Sequence, residues 1–297
     1  MRLYVDDYLQ VRYVNLYNKK VRQDIKILAI GDVHISDMVS FKKIEKLKSQ
    51  ILKEKADYIV FVGDLIDRVE EIKNNDSFSK LNDLLKCSVS VAPTFVILGN
   101  HDYIQRETHN SHLEGIRKVI KDISGVILLD NDIYYDDKIW FMGYTETKEY
   151  YVKKEYDFKA FYDDFKSHDL LYKKVDTKLP TIALIHSPEF SNDEKCMELL
   201  KDYDLIICGH THDGCVPFGF GNFKRGIISP KKTFFPKNVR GLRKIGNNYI
   251  LITGGIVKIQ KCAHKLLHPF NHLCPMQMDV ITLSNKKNVS VIKKLHF

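Results

Sequence analysis

The sequence predicts an α/β fold built around a largely parallel sheet. Short apolar runs of the kind that form buried strands alternate along the chain with stretches of helical spacing. Several of these runs end in a polar cluster that contains glycine together with aspartate, asparagine or histidine. This order of strand, polar tip, helix and next strand is typical of parallel sheets with helical crossovers. The carboxyl ends of such strands meet at one edge, where open α/β sheets bind ligands.

Apolar and β-branched runs predict the strands. Near the N-terminus, Leu9, Val11 and Tyr13 alternate with polar neighbours, which predicts a peripheral strand or hairpin. The run Ile25–Ile30 is almost entirely apolar and predicts a buried strand. Further strands are predicted at 58–62, 94–98, 126–129, 132–135, 138–142, 181–185, 205–208, 249–252, 255–259, 278–283 and 289–293.

Helical spacing predicts the elements that connect these strands. The apolar face of the first helix is predicted to contain Phe41, Ile44, Leu47, Ile51 and Leu52. The predicted helices are 41–55, 78–85, 112–123 and 193–200, with one more inside the charged and aromatic segment 146–178. No internal repeat or low-complexity linker divides the chain, so a single domain over residues 1–297 is predicted.

The composition is that of a globular protein with its charge concentrated in one place. The longest apolar runs are too short to cross a bilayer, and charged residues interrupt any apolar segment at the N-terminus. The six cysteines form no CxxC pair, which favours reduced thiols over a disulfide framework or a zinc ribbon. We therefore expect a cytoplasmic protein without a transmembrane segment. The formal net charge is +8, and the stretch 224–244 accounts for it, with eight basic residues and no acidic one.

Five polar tips carry the candidate chemistry. They follow the strands predicted at 25–30, 58–62, 94–98, 181–185 and 205–208, and they read GDVH, GDLID, GNHD, HSP and GHTH. The side chains able to bind a metal there are two carboxylates, one amide and four imidazoles, from Asp32, His34, Asp64, Asn100, His186, His210 and His212. Each tip alone is more typical of a hydrogen-bonded loop. Five such tips, each at the end of an apolar strand, favour a metal centre instead.

The ligand types indicate which metals the site would hold. Nitrogen and oxygen ligands without thiolate suit divalent manganese, iron, zinc, nickel or cobalt. Seven side chains are more than one tetrahedral ion needs. They suit two ions with one bridging carboxylate, an arrangement that recurs in phosphatases and nucleases.

The order of the five tips resembles the calcineurin-like metallophosphoesterase superfamily over residues 25–212. The resemblance implies a four-layer αββα sandwich of two mixed sheets flanked by helices. It also implies two divalent ions, with manganese, iron or zinc favoured. The ligands it implies are Asp32, His34 and His212 for the first ion, Asn100, His186 and His210 for the second, and Asp64 as the bridge.

The resemblance also implies catalytic roles for two further residues. His101 matches the family's histidine beside the leaving group, and Asp67 matches the carboxylate that orients it. An imidazolium near the scissile phosphorus can protonate an alkoxide leaving group. Water made acidic by the two ions supplies the nucleophile, as a metal-bound hydroxide. The sequence therefore predicts a metal-dependent phosphoesterase with His101 as general acid.

The motifs indicate the branch of the superfamily less clearly than they indicate the superfamily itself. The nearest is a bacterial phosphodiesterase branch whose last motif reads GHTHGGQ, from which Asp213 and Cys215 depart. Arg68 matches a phosphate-binding arginine of the protein Ser/Thr phosphatases, but His34 lacks the glycine that follows it in those enzymes. We expect a phosphodiesterase. The alternatives are a phosphomonoesterase or nuclease of the same superfamily, or a non-catalytic binding protein with the same fold.

The basic stretch is the last feature with a predicted function. Phenylalanines interleave with the basic residues over 216–244, and prolines and glycines predict a loop at the rim of the active site. Such a loop can be a solvated surface whose aromatic side chains pack into the domain. It can also contact an anionic membrane surface or a nucleic-acid backbone. Contact with a membrane surface would make the protein peripheral to the membrane.

Overall fold

The computed structural model describes residues 8–36, 39–67, 76–104, 110–168, 178–215, 217–218, 225–257 and 275–296. The strands within them are β1 Leu9–Tyr17, β2 Ile25–Ile30, β3 Tyr58–Val62, β4 Thr94–Ile97, β5 Val126–Leu128, β6 Asp132–Tyr135, β7 Trp140–Tyr144, β8 Thr181–Ile185, β9 Leu205–Cys208, β10 Pro217–Phe218, β11 Arg225–Gly226, β12 Gly241–Ile245, β13 Asn248–Ile252, β14 Met276–Ser284 and β15 Ser290–His296.

Seven α-helices lie in the described residues, and two 3₁₀ turns at Glu189–Asn192 and His212–Gly214 accompany them. The helices are α1 Phe41–Glu54, α2 Asp76–Val89, α3 Asn100–Tyr103, α4 Asn110–Lys121, α5 Lys148–Val152, α6 Phe158–Ser167 and α7 Glu194–Leu199. None of the described helices is long and apolar enough to cross a membrane.

The larger strands form two mixed sheets. The first has the order β15-β1-β14-β2-β3-β4-β5, and the second has the order β12-β13-β9-β8-β7-β6. Strands β2 to β5 run parallel to one another, and so do β7, β8, β9 and β13. The antiparallel neighbours β14, β6 and β12 make both sheets mixed. In each sheet, the polar tips that follow the parallel strands therefore lie at the same edge, at the carboxyl ends of those strands.

The two sheets pack face to face through a shared apolar core. Side chains on the inner faces, such as Val60, Phe95, Phe141, Leu184 and Ile207, form one buried cluster. The rings of Phe95 and Phe141 lie 4.8 Å apart between their centroids and join the sheets directly. Because successive side chains of a strand point to opposite faces, the other half of each strand faces outward.

Helices cover both outward faces. Ile59 and Phe61 of β3 pack with Leu47, Leu84 and Ile116 from α1, α2 and α4. On the second sheet, a separate buried cluster joins β8 and β9 to the aromatic residues of α5 and α6 and to Cys196 of α7. The layers are therefore helix, sheet, sheet and helix, which confirms the predicted αββα sandwich of two mixed sheets.

The structure corrects two predictions about the first elements. Strand β1 is not peripheral, because it lies between β14 and β15 with Leu9 and Val11 buried. Two members of the predicted apolar face of α1, Phe41 and Leu52, are exposed. The helix instead buries the polar side chain of Glu54, which accepts a hydrogen bond from the Tyr13 hydroxyl at 2.7 Å.

Later segments also differ from prediction. Residues 255–257 are not a strand, because the amides of Ile256 and Val257 bond to the carbonyl of Asp32 instead of to a neighbouring strand; residues 258 and 259 lie outside the described residues. In the segment 146–178, the described residues 146–168 already contain two helices, α5 and α6, instead of one. The predicted loop 216–244 ends in a strand, since β12 begins at Gly241.

Candidate metal centre

The polar tips of both sheets meet in one buried cluster. The first sheet contributes the tips of β2, β3 and β4, and the second contributes those of β8 and β9. Three groups of side chains each bring their ligand atoms within 4.8 Å of one another: Asp32, His34, Asp64 and His212; Asp64, His186 and His210; and His34, Asp67 and His101. Because Asp64 belongs to both of the first two groups, the arrangement suits two ions that share it.

Asp64 is placed between the two groups. Its Oδ2 atom lies 3.4 Å from His34 Nε2 and 3.2 Å from His186 Nε2. Its Oδ1 atom accepts a hydrogen bond from the backbone amide of His101 at 2.8 Å. One carboxylate oxygen therefore faces imidazoles of both groups, while the backbone holds the other.

The second carboxylate, Asp32, joins the tips of β2 and β9. Both of its oxygens accept from the backbone amide of His210, at 2.9 and 3.1 Å. Its Oδ1 atom lies 3.8 Å from His212 Nε2, and that nitrogen lies 3.3 Å from His34 Nε2. The first group of ligand atoms therefore closes across the two sheets.

Hydrogen bonds on the far side of three imidazoles select the nitrogen that faces the cluster. His186 Nδ1 bonds to the carbonyl of Val62 at 2.7 Å, and His212 Nδ1 bonds to the carbonyl of Val257. His210 uses Nε2 instead, which lies 2.8 Å from the hydroxyl of Tyr156. Partners of this kind fix the ring orientation and tautomer of metal-binding histidines. They leave Nε2 of His186 and His212, and Nδ1 of His210, as the nitrogens that could bind a metal.

Asn100 supplies a neutral oxygen to the same cluster. It is the first residue of α3, directly after Gly99, and its side chain is buried. Its Oδ1 atom has no hydrogen-bond partner among the described residues. Buried polar atoms are nearly always paired. An unpaired buried oxygen in this cluster therefore fits a bound cation.

The backbone of the tips is strained where the ligands lie. Left-handed φ values between 42° and 68° occur at Asp32, His34, Asp64, His210 and His212. This region costs a non-glycine residue about 1–3 kcal/mol and clusters at functional sites. The adjoining Asp213 also has a positive φ, of 56°, where the GHTHGGQ branch has glycine. Aspartate tolerates this conformation better than most residues, so the tip keeps its shape despite that departure.

Two glycines let the tips of β3, β4 and β8 approach closely. A Cβ atom on Gly99 would lie 2.3 Å from both the amide nitrogen and Oδ1 of Asp64. A Cβ atom on Gly63 would lie 2.6 Å from His186 Nδ1. Neither distance is sterically possible, so the GD and GN motifs need glycine for packing between tips.

The Asp102 carboxylate joins the tips of β3 and β4 through hydrogen bonds to their backbone amides. Its Oδ2 accepts from the amide of Gly99 at 2.8 Å, and its Oδ1 accepts from the amide of Leu65 at 3.0 Å. The last aspartate of GNHD thus fixes the β4 tip to the β3 tip. Burial raises the pKa of Asp102 to about 7, with the nearby Asp64 charge acting in the same direction.

Without metal, the charges of the cluster compensate one another. Burial lowers the pKa of His34 to about 3 and holds the pKa of His210 well below its ordinary value. Burial would raise the pKa of Asp64, but the neighbouring His186 and His101 hold that pKa well below its ordinary value. Metal ligands must be neutral imidazoles and ionised carboxylates, and the pKa shifts of His34, His210 and Asp64 favour those forms. Burial would lower the pKa of His186, but the neighbouring Asp64 raises that pKa well above its ordinary value, and burial raises the pKa of Asp32, so these two depend on the metal to reach those forms.

His101 lies beside this cluster in contact with Asp67. His101 Nδ1 is 3.2 Å from Asp67 Oδ1, and its ring is perpendicular to that of His34, 4.8 Å away between centroids. The His101 side chain is 15% exposed, whereas that of His34 is fully buried. His101 is therefore next to the ligands and reachable from outside.

Some contributors to the site were not predicted. The Tyr156 hydroxyl holds His210, and Glu146 Oε1 accepts from the amide of Ser187 at 2.7 Å, next to His186. Both lie in the charged and aromatic segment 146–178, where the local pattern contains no motif. Arg68, predicted as a phosphate-binding match, lies outside the described residues.

Comparison with known proteins agrees with this geometry. An uncharacterized metallophosphoesterase of Campylobacter jejuni is 28% identical over 219 residues, which cover 71% of this chain and 50% of that protein. The chain thus spans about half the length of that relative. An uncharacterized metallophosphoesterase of Aquifex aeolicus is 24% identical, covering 95% of this chain and 94% of its own. Phosphodiesterase YaeI of Escherichia coli is 25% identical, covering 83% and 80%.

A family model described as calcineurin-like phosphoesterase matches residues 25–214. This range begins at β2 and ends just after the GHTH tip, so it contains all five tips and the buried cluster that they form. Family and geometry together indicate a dinuclear site for divalent metal ions. The chain therefore belongs to the calcineurin-like phosphoesterase family of metal-dependent hydrolases.

Proposed function

We propose that this metallophosphoesterase is a phosphodiesterase in which His101 protonates the leaving group and Asp67 positions His101. The observation that carries the proposal is the 3.2 Å contact between His101 Nδ1 and Asp67 Oδ1 beside the buried cluster. The name of one relative, phosphodiesterase YaeI, supports the diester preference.

The proposed ligands are those implied by the family resemblance. Asp32, His34 and His212 would hold one ion, Asn100, His186 and His210 would hold the other, and Asp64 would serve both. The Asn100 Oδ1 atom, which has no hydrogen-bond partner among the described residues, fits this set. When bound, two such ions orient a phosphate group and lower the pKa of coordinated water. The complete ligand set favours an enzyme over a non-catalytic relative.

The chain's own residues supply the proton. With Nδ1 directed at Asp67, Nε2 of His101 is the atom that would carry the proton to the departing oxygen. The backbone amide of His101 donates to Asp64, so the ring is tied to the bridging carboxylate through its own main chain. General acid catalysis typically contributes about 10²–10⁴-fold. That help is needed for an alkoxide and is nearly superfluous for p-nitrophenolate, which is a stable anion.

The test compares two leaving groups in one variant. We expect His101→Ala to retain both ions and to lower kcat for alkyl phosphodiesters by about 10²–10⁴-fold. The loss on p-nitrophenyl diesters should be far smaller. Asp67→Asn should show the same leaving-group dependence with a smaller loss. The measurements are kcat for both substrate classes and metal content by elemental analysis.

Two results would contradict this role. An equal loss on both leaving groups would make His101 a phosphate-positioning residue, and loss of an ion would make it a ligand. The diester preference is tested separately, by kcat/KM for bis(p-nitrophenyl) phosphate against p-nitrophenyl phosphate. A higher value for the monoester would replace phosphodiesterase with phosphomonoesterase.

A further inference from the structure

An exposed turn close to the metal centre presents two adjacent phenylalanines to solvent. We call residues 230–238 the Phe turn. Phe234 is 71% exposed and Phe235 is 53% exposed. Phenylalanine side chains are usually buried in the core, so two adjacent exposed ones are unusual. Contiguous exposed apolar side chains mark contact surfaces.

The turn carries positive charge and no negative charge. Lys232 and Lys237 are exposed on either side of the phenylalanines, and no acidic residue occurs between positions 225 and 244. Lys231 lies over the ring of Tyr156 at 4.8 Å and donates to the carbonyl of Lys153 at 2.6 Å. This contact brings the turn next to α5, whose last residue, Val152, is also 58% exposed.

The three arginines of the described part of the stretch interact with other groups of the protein. Arg243 donates to the hydroxyl of Ser191, and Arg225 Nη1 donates to the carbonyl of Phe235 at 2.7 Å. Arg240 is half-buried, with the Asp213 charge nearby. Within the Phe turn, Lys232 and Lys237 are therefore the exposed cations that flank the two phenylalanines.

Hydrogen bonds on both sides of the Phe turn connect it to the strand tip that contains His210 and His212. The amides of Ile227 and Ile228 donate to the carbonyl of Gly214 at 2.9 and 3.2 Å. The Thr211 hydroxyl, between the ligand positions 210 and 212, donates to the carbonyl of Val239 at 2.6 Å. A surface bound by the turn would therefore lie close to the proposed ions.

We propose that the Phe turn docks the protein on the surface of an anionic phospholipid bilayer. Adjacent phenylalanines can enter the boundary between headgroups and acyl chains, while flanking lysines meet the anionic headgroups. A nucleic-acid strand would favour aromatic rings spread along a basic groove, since successive bases stack on successive rings. Here both rings belong to neighbouring residues of one short turn, which favours the membrane.

The test is co-sedimentation of the full metal-loaded chain with vesicles. Wild-type protein should bind vesicles of phosphatidylcholine with phosphatidylglycerol, and should bind phosphatidylcholine alone weakly. Phe234→Ser/Phe235→Ser should abolish binding. Lys232→Gln and Lys237→Gln should each weaken it about fivefold. Added salt should weaken wild-type binding, because the charge contribution is screened.

Matched controls separate docking from damage to the fold. Phe41→Ser removes another exposed phenylalanine, on α1, and should leave vesicle binding unchanged. The double variant should keep wild-type thermal stability and activity on a water-soluble p-nitrophenyl diester. Wild-type protein that ignores anionic vesicles would overturn the proposal, as would a double variant that still binds them. Tighter binding to a single-stranded oligonucleotide, lost in the double variant, would replace the membrane with nucleic acid.

Discussion

At the scale of single residues, Asp64 is the proposed bridge, and we expect it to determine whether the cluster holds two ions. Its Oδ2 atom faces His34 on one side and His186 on the other. Asp64→Asn keeps the shape but removes the charge, so both ions should bind more weakly. His34→Ala should weaken the binding of mainly one of the two ions.

We expect Asp64→Asn to lower both affinities by more than the 10–100-fold loss that is typical of removing an outer partner. Metal titration followed by elemental analysis gives both affinities. Wild-type metal content and rate in Asp64→Asn would show that the bridge is wrongly assigned.

Tyr156 is the residue-scale feature that local sequence patterns conceal. Its hydroxyl fixes His210 through Nε2, which leaves Nδ1 for the metal. Tyr156→Phe keeps the ring under Lys231 and removes only the hydroxyl. It should lower the affinity of one ion by about 10–100-fold and leave the other unchanged.

Tyr151→Phe is the matched control for that variant. The Tyr151 ring lies 5.6 Å from His210 between centroids, but its buried hydroxyl makes no hydrogen bond to His210. Removing this hydroxyl should leave both affinities unchanged. Equal behaviour of the two variants would assign Tyr156 a packing role only.

At the scale of elements, the site depends on how closely the strand tips approach. Gly99→Ala places a Cβ atom 2.3 Å from Asp64, so the β3 and β4 tips must separate. Overpacking of this kind costs about 1–3 kcal/mol of unfolding free energy. We also expect the variant to lose metal, since the separation displaces Asp64 and Asn100. Chemical denaturation and metal analysis measure the two effects.

Gly246→Ala is the control for that element-scale prediction. Nothing lies within 4 Å of its added Cβ atom, and its φ is 57°. Its cost should therefore be backbone strain alone, about 1–2 kcal/mol, with metal content retained. If Gly99→Ala also retained both ions, close approach of these tips would be unnecessary for metal binding.

At the scale of the whole molecule, the proposed ions connect the two sheets. Asp32, Asp64 and Asn100 follow strands of the first sheet, whereas His186 and His210 follow strands of the second. Ions that bind only the folded chain stabilise it by about 2.7 kcal/mol at a concentration 100 times Kd. We therefore expect EDTA to lower Tm and added Mn²⁺ or Zn²⁺ to restore it, with two ions bound per chain.

The same experiment on Asp64→Asn provides the comparison, because its Tm should respond much less to added metal. A wild-type Tm that ignores EDTA would argue against ions between the sheets. A stoichiometry that stays near one at full activity would argue against a dinuclear centre.

Local patterns in the sequence were enough to predict the strands that carry the site. Buried strands such as Ile25–Ile30 and Leu205–Cys208 appear as apolar runs, and the turns after them need glycine and short polar residues. These are properties of consecutive residues. The alternation of strands and helices indicated one largely parallel sheet. The αββα sandwich of two sheets was predicted only from the family resemblance.

Contacts between distant segments settled the rest. Strand β1 is internal because β15, from the end of the described chain, pairs with it. Basic residues such as Arg243 point to internal partners that adjoin them only in the folded chain. Consecutive residues alone show which side chains lie at the strand ends. The contacts of Tyr156 with His210 and of the Val257 carbonyl with His212 arise only when the chain folds, because a hydrogen bond across 54 or 45 positions leaves no local pattern.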